Sequence, residues 1–136
     1  MEKNKKLIGI SGKKRSGKDT FFDKFNDIKN GYINKKFANK IKEICYILTG
    51  IPLYYFYDGK HCDFFIKEWG MTVRELQQKI GTEIFRDNLC NDVWIKSLFS
   101  GYSDDSKWII TDVRFPNEAD EILRRGGILV RINRFY

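Results

Sequence analysis

Short apolar runs alternate along the chain with stretches in which apolar residues recur every three or four positions, the pattern of strands alternating with amphipathic helices. Lys6 to Ser11 reads as a buried strand, and after a glycine-bounded loop Phe21, Phe22, Phe25 and Ile28 fall at helical spacing. Asn30-Gly31 ends that helix. Tyr32 to Phe37 is a second predicted strand. The next helix has Ile41, Ile44, Cys45 and Leu48 on its apolar face, and Gly50-Ile51-Pro52 stops it. Leu53 to Gly70 is aromatic and irregular, with an Asp58-Gly59 turn signal, which predicts a loop carrying short helical pieces. Thr72 with Glu75 three residues later makes a capping-box pattern. Val73, Leu76, Ile80 and Ile84 continue as an apolar stripe, predicting one long helix bent near Gly81. A further helix, capped at Asn91 or Asp92, carries Trp94, Ile95, Leu98 and Phe99. Trp108 to Thr111 reads as a buried strand ending in Asp112. Pro116 opens a short helix with Ala119, Ile122 and Leu123 inside, Gly126-Gly127 closes it, and Ile128 to Ile132 is the last strand. This alternation calls for an α/β fold, a parallel sheet flanked by helices.

A chain of 136 residues with 42% apolar content fits a single domain over residues 1–136. Cys45, Cys62 and Cys90 are odd in number and form no C-x-x-C pair, so neither a disulfide framework nor a zinc site is indicated. No run approaches the length of a membrane span, and Met1 to Lys6 lacks the apolar core of a signal peptide. The expectation is a soluble protein of the cytoplasm, with no membrane partner. A formal charge of +7 fits either a nucleic acid or small polyanions. The lysines are scattered among Asn, Ile, Phe and Tyr, as AT-rich coding would also produce, so no nucleic-acid partner is expected.

The most informative stretch lies between the first strand and the first helix. Four residues separate Gly12 from Gly17, and Lys18 follows at once, the G-x-x-x-x-G-K part of a phosphate-binding loop. The glycines let backbone N–H groups turn toward an anion, and the helix that follows opens with unpaired N–H groups and a partial positive charge. Lys18 adds a mobile charge for the β- and γ-phosphates. Where the motif expects Ser or Thr to ligate Mg²⁺, this chain has Asp19, with Thr20 next. A carboxylate beside a polyphosphate repels it unless a cation lies between. Nucleotide binding is therefore expected to depend on Mg²⁺ held by Asp19 or Thr20, directly or through water. The plain alternative is that Asp19 is a first-turn acid favoured by the helix dipole.

A second group of residues belongs beside the first. In an open parallel sheet, ligands sit beyond the carboxyl ends of the strands, where Asp112 is expected, and an acid there holds Mg²⁺ next to a phosphate loop. Arg114 follows two residues later and suits bidentate phosphate binding. Arg74, Gln78 and Gly81 fall at i, i+4 and i+7 on the long predicted helix, with Gln77, Glu83 and Arg86 at the margins of that face. Such a face could hold the phosphate and base of a second substrate, with Gly81 leaving room for it. It could equally be a solvated face with Gly81 as a helix cap.

With these residues assembled, the chain resembles the viral and phage deoxynucleoside monophosphate kinases, a branch of the P-loop kinases. The stretches that carry the resemblance are 12–20, Phe37-Ala38-Asn39-Lys40-Ile41-Lys42-Glu43, Arg74 to Glu83 with Arg86, Asp92-Val93-Trp94, and Asp112-Val113-Arg114-Phe115-Pro116-Asn117-Glu118-Ala119. Gly-Lys-Asp is usual in that family. The resemblance implies a three-layer P-loop kinase fold with sheet order 2-3-1-4, in which 53–71 is an irregular insertion on the acceptor side. It implies that Gly12, Lys13, Arg15, Ser16, Gly17, Lys18, Asp19 and Thr20 hold the donor ATP. Asp19, Thr20 and Asp112 would serve Mg²⁺, while Lys42, Arg74, Gln77, Gln78, Arg86, Trp94 and Arg114 would bind a deoxynucleoside monophosphate. Lys18, Arg86, Asp112 and Arg114 would be the catalytic set, and no general base is demanded of His61, read as a surface histidine. Such kinases continue into a mobile lid and a fifth strand, which are expected to be absent from a chain stopping at Tyr136. Either Arg131, Arg134 and a partner subunit in a homodimer replace them, or the chain is a short or truncated version with weak or absent activity. The competing readings are a phosphomevalonate kinase of the animal type, an idle nucleotide-binding module and a basic nucleic-acid binder.

Overall fold

A computed structural model describes residues 6–13 and 16–133. In chain order its elements are β1 (Leu7–Gly12), α1 (Lys18–Ile28), β2 (Ile33–Lys35), α2 (Asn39–Thr49), α3 (Tyr54–Tyr57), β3 (Phe65–Ile66), β4 (Met71–Thr72) and α4 (Val73–Gln78). A π-helical segment, Lys79–Arg86, then leads to α5 (Val93–Phe99), β5 (Trp108–Val113), α6 (Pro116–Arg124) and β6 (Ile128–Ile132). The chain divides into two compact units, one of residues 1–37 with 98–136 and the other of residues 38–97. The protein is thus mixed α/β, with a four-stranded parallel sheet flanked by helices.

The first unit is built on the sheet, in the order β2-β5-β1-β6, all neighbours parallel. Side chains alternate across a strand. Ile8 and Ile10 accordingly face one side, where Ile109 joins them under Phe21, Phe22 and Phe25 of α1. Gly9 faces the other, where a Cβ would stand 2.5 Å from Cδ1 of Ile122 in α6. Glycine at position 9 is therefore what lets α6 approach the sheet. β5 is apolar almost throughout because both its faces are covered, as expected of a central parallel strand. Its pairing with β1 runs in register from Leu7–Trp108 to Gly9–Ile110 and then shifts to Ser11–Val113, so β5 carries one extra residue around Thr111 and Asp112. A bulge of this kind re-aims a side chain at the end of a strand.

The second unit packs Cys45, Phe56, Ile66, Val73, Leu76 and Ile80 into one core, with Ile41, Phe85 and Trp94 against it. Burial pushes the Cys45 thiol up to about 11, so it behaves as a small apolar side chain there. The capping box at Thr72 forms as the sequence predicts, with Glu75 N donating to Thr72 Oγ1 at 3.1 Å. The single long helix does not. After Gln78 the bonding widens to i→i+5, as in Asp87 N to Thr82 O at 2.8 Å. The wider turn rotates the apolar stripe, so Ile84, predicted inside, is 51% exposed and Phe85 packs into the core instead. Gly81 is buried too, and a Cβ there would lie 3.0 Å from Ile41 Cδ1. It is a point of close approach to α2 rather than space left on a polar face. The 53–70 region contains α3 and also β3, which pairs antiparallel with β4 just beyond it, two-residue strands that the sequence does not announce.

Gly127 tests how tightly the first unit is packed. An added Cβ would meet the Leu7 carbonyl oxygen at 2.8 Å and that of Ile122 at 3.0 Å, backbone atoms that cannot step aside. Gly127→Ala should cost about 1–3 kcal/mol in urea denaturation. Gly101→Ala, where nothing lies within 4 Å, should stay within about 0.5 kcal/mol of wild type.

Candidate phosphate-binding site

Parallel pairing brings the carboxyl ends of β1, β2 and β5 to one edge of the first unit's sheet, and the sequence-predicted donor residues follow from those ends. At the end of β1, Gly12 has no room for a side chain, since a Cβ would lie 2.6 Å from Ser16 Oγ and 2.8 Å from the Ile132 carbonyl oxygen. Ser16 N donates to the Lys13 carbonyl at 3.0 Å. Gly17, the N-cap of α1, has φ 100°, a left-handed conformation that glycine adopts without strain. No side chain caps the N-terminus of α1, so its first N–H groups have no such partner. Among the described residues Ser16 Oγ is buried with no hydrogen-bond partner, and the residue is 9% exposed. An orphaned buried hydroxyl at the head of a helix is a costly arrangement that an anion would relieve.

Lys18 Nζ donates to the Gly12 carbonyl oxygen at 2.9 Å, folding the lysine back across the loop. Its pKa lies below the ordinary lysine value, first because it is partly buried and then because Arg114 and Lys36 crowd it, with Asp112 and Asp19 acting in the opposite sense. Five charged groups from three segments, the start of α1, the end of β2 and the end of β5, thus act on one another: three cations and two carboxylates. Asp112 Oδ1 accepts the Phe37 N–H at 2.9 Å. Asp19 is held by Lys36 Nζ at 3.2 Å, with Asn34 Nδ2 at 3.5 Å. A cavity of about 710 Å³ adjoins the loop, lined by Ser16, Gly17 and Thr20 and by the apolar side chains of Phe21, Phe25 and Ile132. Lys13 is exposed at the loop's edge. Arg15 and Arg134 lie outside the described residues.

The oxygens of Asp19, Thr20 and Asp112 are hard donors of the kind Mg²⁺ prefers. Among the described residues no group of three or more His, Cys, Asp or Glu side chains could hold a metal ion. Two carboxylates with a nucleotide's own phosphates would suit Mg²⁺, which binds through few protein ligands.

The residues predicted for the second substrate, Arg114 apart, lie in the second unit. Lys42 Nζ donates to Gln77 Oε1 at 3.0 Å and stands 5.4 Å from the Tyr57 ring, so the structure joins Lys42 to Gln77. Arg86 closes the π-helical segment, with Nε donating to Asn91 Oδ1 at 3.4 Å. Trp94 Nε1 donates to the Gly81 carbonyl at 2.7 Å, fastening α5 to that segment. Arg74 is engaged by the preceding loop, through Cys62 Sγ at 3.0 Å and Asp63 at 3.7 Å. Gln78 is exposed at the end of α4. The π turn removes the i, i+4, i+7 face that was to unite Arg74, Gln78 and Gly81. His61 is only partly exposed, its Nδ1 2.6 Å from Asp58 Oδ2 and its ring stacked on Tyr55.

Three residues in the first unit escape the sequence reading. Lys36 and Asn34 reach Asp19 from β2, and only the rule that ligands gather beyond strand ends, applied to β2, would have pointed to them. Glu118 is 7% exposed, and its Oε1 accepts the N–H groups of Arg114 at 2.8 Å and Phe115 at 2.9 Å. Its place at the third position of a helix opened by Pro116 is the available signal. It fixes the turn from which Arg114 projects.

No protein-family model matches the chain. A protein of Acanthamoeba polyphaga mimivirus named "Putative deoxynucleotide monophosphate kinase" is 33% identical over 146 residues, covering 94% of this chain and 74% of the viral protein.

The crowding around Lys18 has a measurable sign. A lysine whose pKa is lowered by folding weakens the fold while it is charged, and that penalty fades as pH rises through the lowered value toward the ordinary one. The urea stability of wild type relative to Lys18→Met should therefore rise between pH 7 and about pH 10. A falling difference would mean that the site favours the ammonium form, and a constant one that folding leaves the lysine's proton affinity unchanged; either contradicts the crowding.

Proposed function

The chain belongs to the deoxynucleotide monophosphate kinase family, and from that premise we propose that it moves the γ-phosphate of ATP to a deoxynucleoside monophosphate, giving the diphosphate and ADP. The observation that carries this reading is the buried Ser16 hydroxyl at the head of α1, unpartnered among the described residues, with Lys18 nearby in the chain and Arg114 acting on that lysine. Such a site suits the β- and γ-phosphates. Backbone N–H groups and Ser16 bind, Lys18 leaves the Gly12 carbonyl for a phosphate oxygen, and Arg114 approaches the group in transit. Mg²⁺, held through Asp19, Thr20 and Asp112, would supply neutralisation of the charge on the β- and γ-oxygens. Lys42, Gln77 and Arg86 take the acceptor, with Arg74, Gln78 and Trp94 contributing to its pocket. Transfer is in line through a loose transition state, so positioning and charge supply most of the acceleration and no covalent intermediate is needed.

The test is ADP production from ATP·Mg²⁺ across the deoxynucleoside monophosphates, with phosphomevalonate and an acceptor-free control. Turnover on one or more deoxynucleotides supports the reading. Turnover on phosphomevalonate alone, or silence with ATP still bound, contradicts it. Lys18→Ala should abolish transfer. Arg86→Ala should raise the acceptor KM by roughly tenfold or more, the worth of a charged hydrogen bond, and leave ATP affinity largely unchanged. Unchanged turnover in Arg86→Ala on every acceptor would misplace the acceptor pocket.

A further inference from the structure

A carboxylate directly after the phosphate-loop lysine should repel a polyphosphate, which is why the sequence points to a metal ion between them. The structure already has a cation there. Lys36 Nζ lies 3.2 Å from Asp19 Oδ1 and 3.5 Å from Oδ2. Its backbone is held on both sides. Asn34 Oδ1 accepts from Thr111 Oγ1 at 2.9 Å, Lys35 pairs with Ile110 in the sheet, and Phe37 N donates to Asp112 at 2.9 Å. The pair itself is not a stability device, since both side chains are open to water, at 33% and 66%, and exposed ion pairs contribute little. Lys36 also acts on the charge of Lys18, so the pair sits in the field of the loop lysine. Without Lys36, the Asp19 carboxylate would meet an incoming polyanion with its repulsion uncancelled until a divalent cation arrived.

We propose that Lys36 is a built-in counter-ion for Asp19, standing in for the divalent cation so that the phosphate loop takes up nucleotide in the absence of metal. The proposal rests on the nucleotide-binding reading of the loop and adds to it a residue and a metal dependence. Lys36 cancels the repulsion from Asp19 in the metal-free site. With a divalent cation held at Asp19, Lys36 would no longer be needed as its counter-ion, and its contribution to binding would become dispensable.

ADP binding by titration calorimetry, once in Mg²⁺ and once in EDTA, tests this on wild type, Lys36→Met, Lys36→Arg and the double variant Asp19→Asn/Lys36→Met. Circular dichroism and urea midpoints confirm that each is folded. Wild type should lose only a few-fold in affinity in EDTA. Lys36→Met should match wild type in Mg²⁺ and lose roughly tenfold or more in EDTA, the scale of one charge-assisted interaction. Lys36→Arg should behave as wild type, and the double variant should regain metal-free affinity because the repelling carboxylate is gone. Equal loss by Lys36→Met in both conditions would make Lys36 an ordinary phosphate contact and overturn the proposal, as would no loss in either. Wild type that binds ADP in neither condition would overturn the loop reading as well, and so separates the two failures.

Discussion

The parallel pairing of β1 with β5 is the constraint on which the first unit depends. It sets the end of β1 at Gly12 beside the end of β5, and so brings Asp112 and Arg114, about a hundred positions away in the chain, toward Lys18. The extra residue in β5 falls where the strand passes the loop, and Asp112 uses it to reach the Phe37 N–H at the end of β2. Glycines at 9, 12 and 127 allow this, because each sits where a neighbour leaves no space for a Cβ. The same closeness lets α1 cover one face of the sheet and α6 the other.

What the sheet assembles is poorly balanced as a protein interior and well suited to an anion. Lys18 is partly buried among other cations, and among the described residues the Ser16 hydroxyl has no partner and α1 no side-chain cap. Each feature costs stability in the nucleotide-free protein, and each is relieved by the same ligand. Strain of this kind gathered in one place marks a functional site more convincingly than the loop motif alone. Glu118 works in the opposite sense. Its buried carboxylate is spent on two backbone N–H groups and leaves the neighbouring Arg114 guanidinium exposed.

Much of this was legible from local signals. Pro116 at the start of α6, Gly50 after α2 and Thr72 with Glu75 at α4 are each sufficient in their own few residues, and β6 begins and ends where its apolar run does. The π-helical segment was not, because its register is set by contacts distant in sequence. Gly81 meets Ile41, and Trp94 takes the Gly81 carbonyl, and neither partner can be read from the spacing of Val73, Leu76, Ile80 and Ile84. The two-residue strands β3 and β4 are too short to show a period. In the candidate phosphate site, the loop motif and the acid at the end of β5 are visible in the sequence. Lys36 does not stand out, because a lysine after a short strand looks like any other of the many lysines until the sheet carries it to Asp19.

Backbone amide chemical shifts of the ¹⁵N-labelled protein, followed while tripolyphosphate is added, test most directly whether the loop is built for phosphate. Binding at the head of α1 predicts saturable shifts concentrated at Ser16, Gly17, Lys18 and Asp19, abolished in Lys18→Met. Small, non-saturating shifts scattered over exposed lysines would show that the anion sees only the overall positive charge, and would contradict a phosphate site at the end of β1.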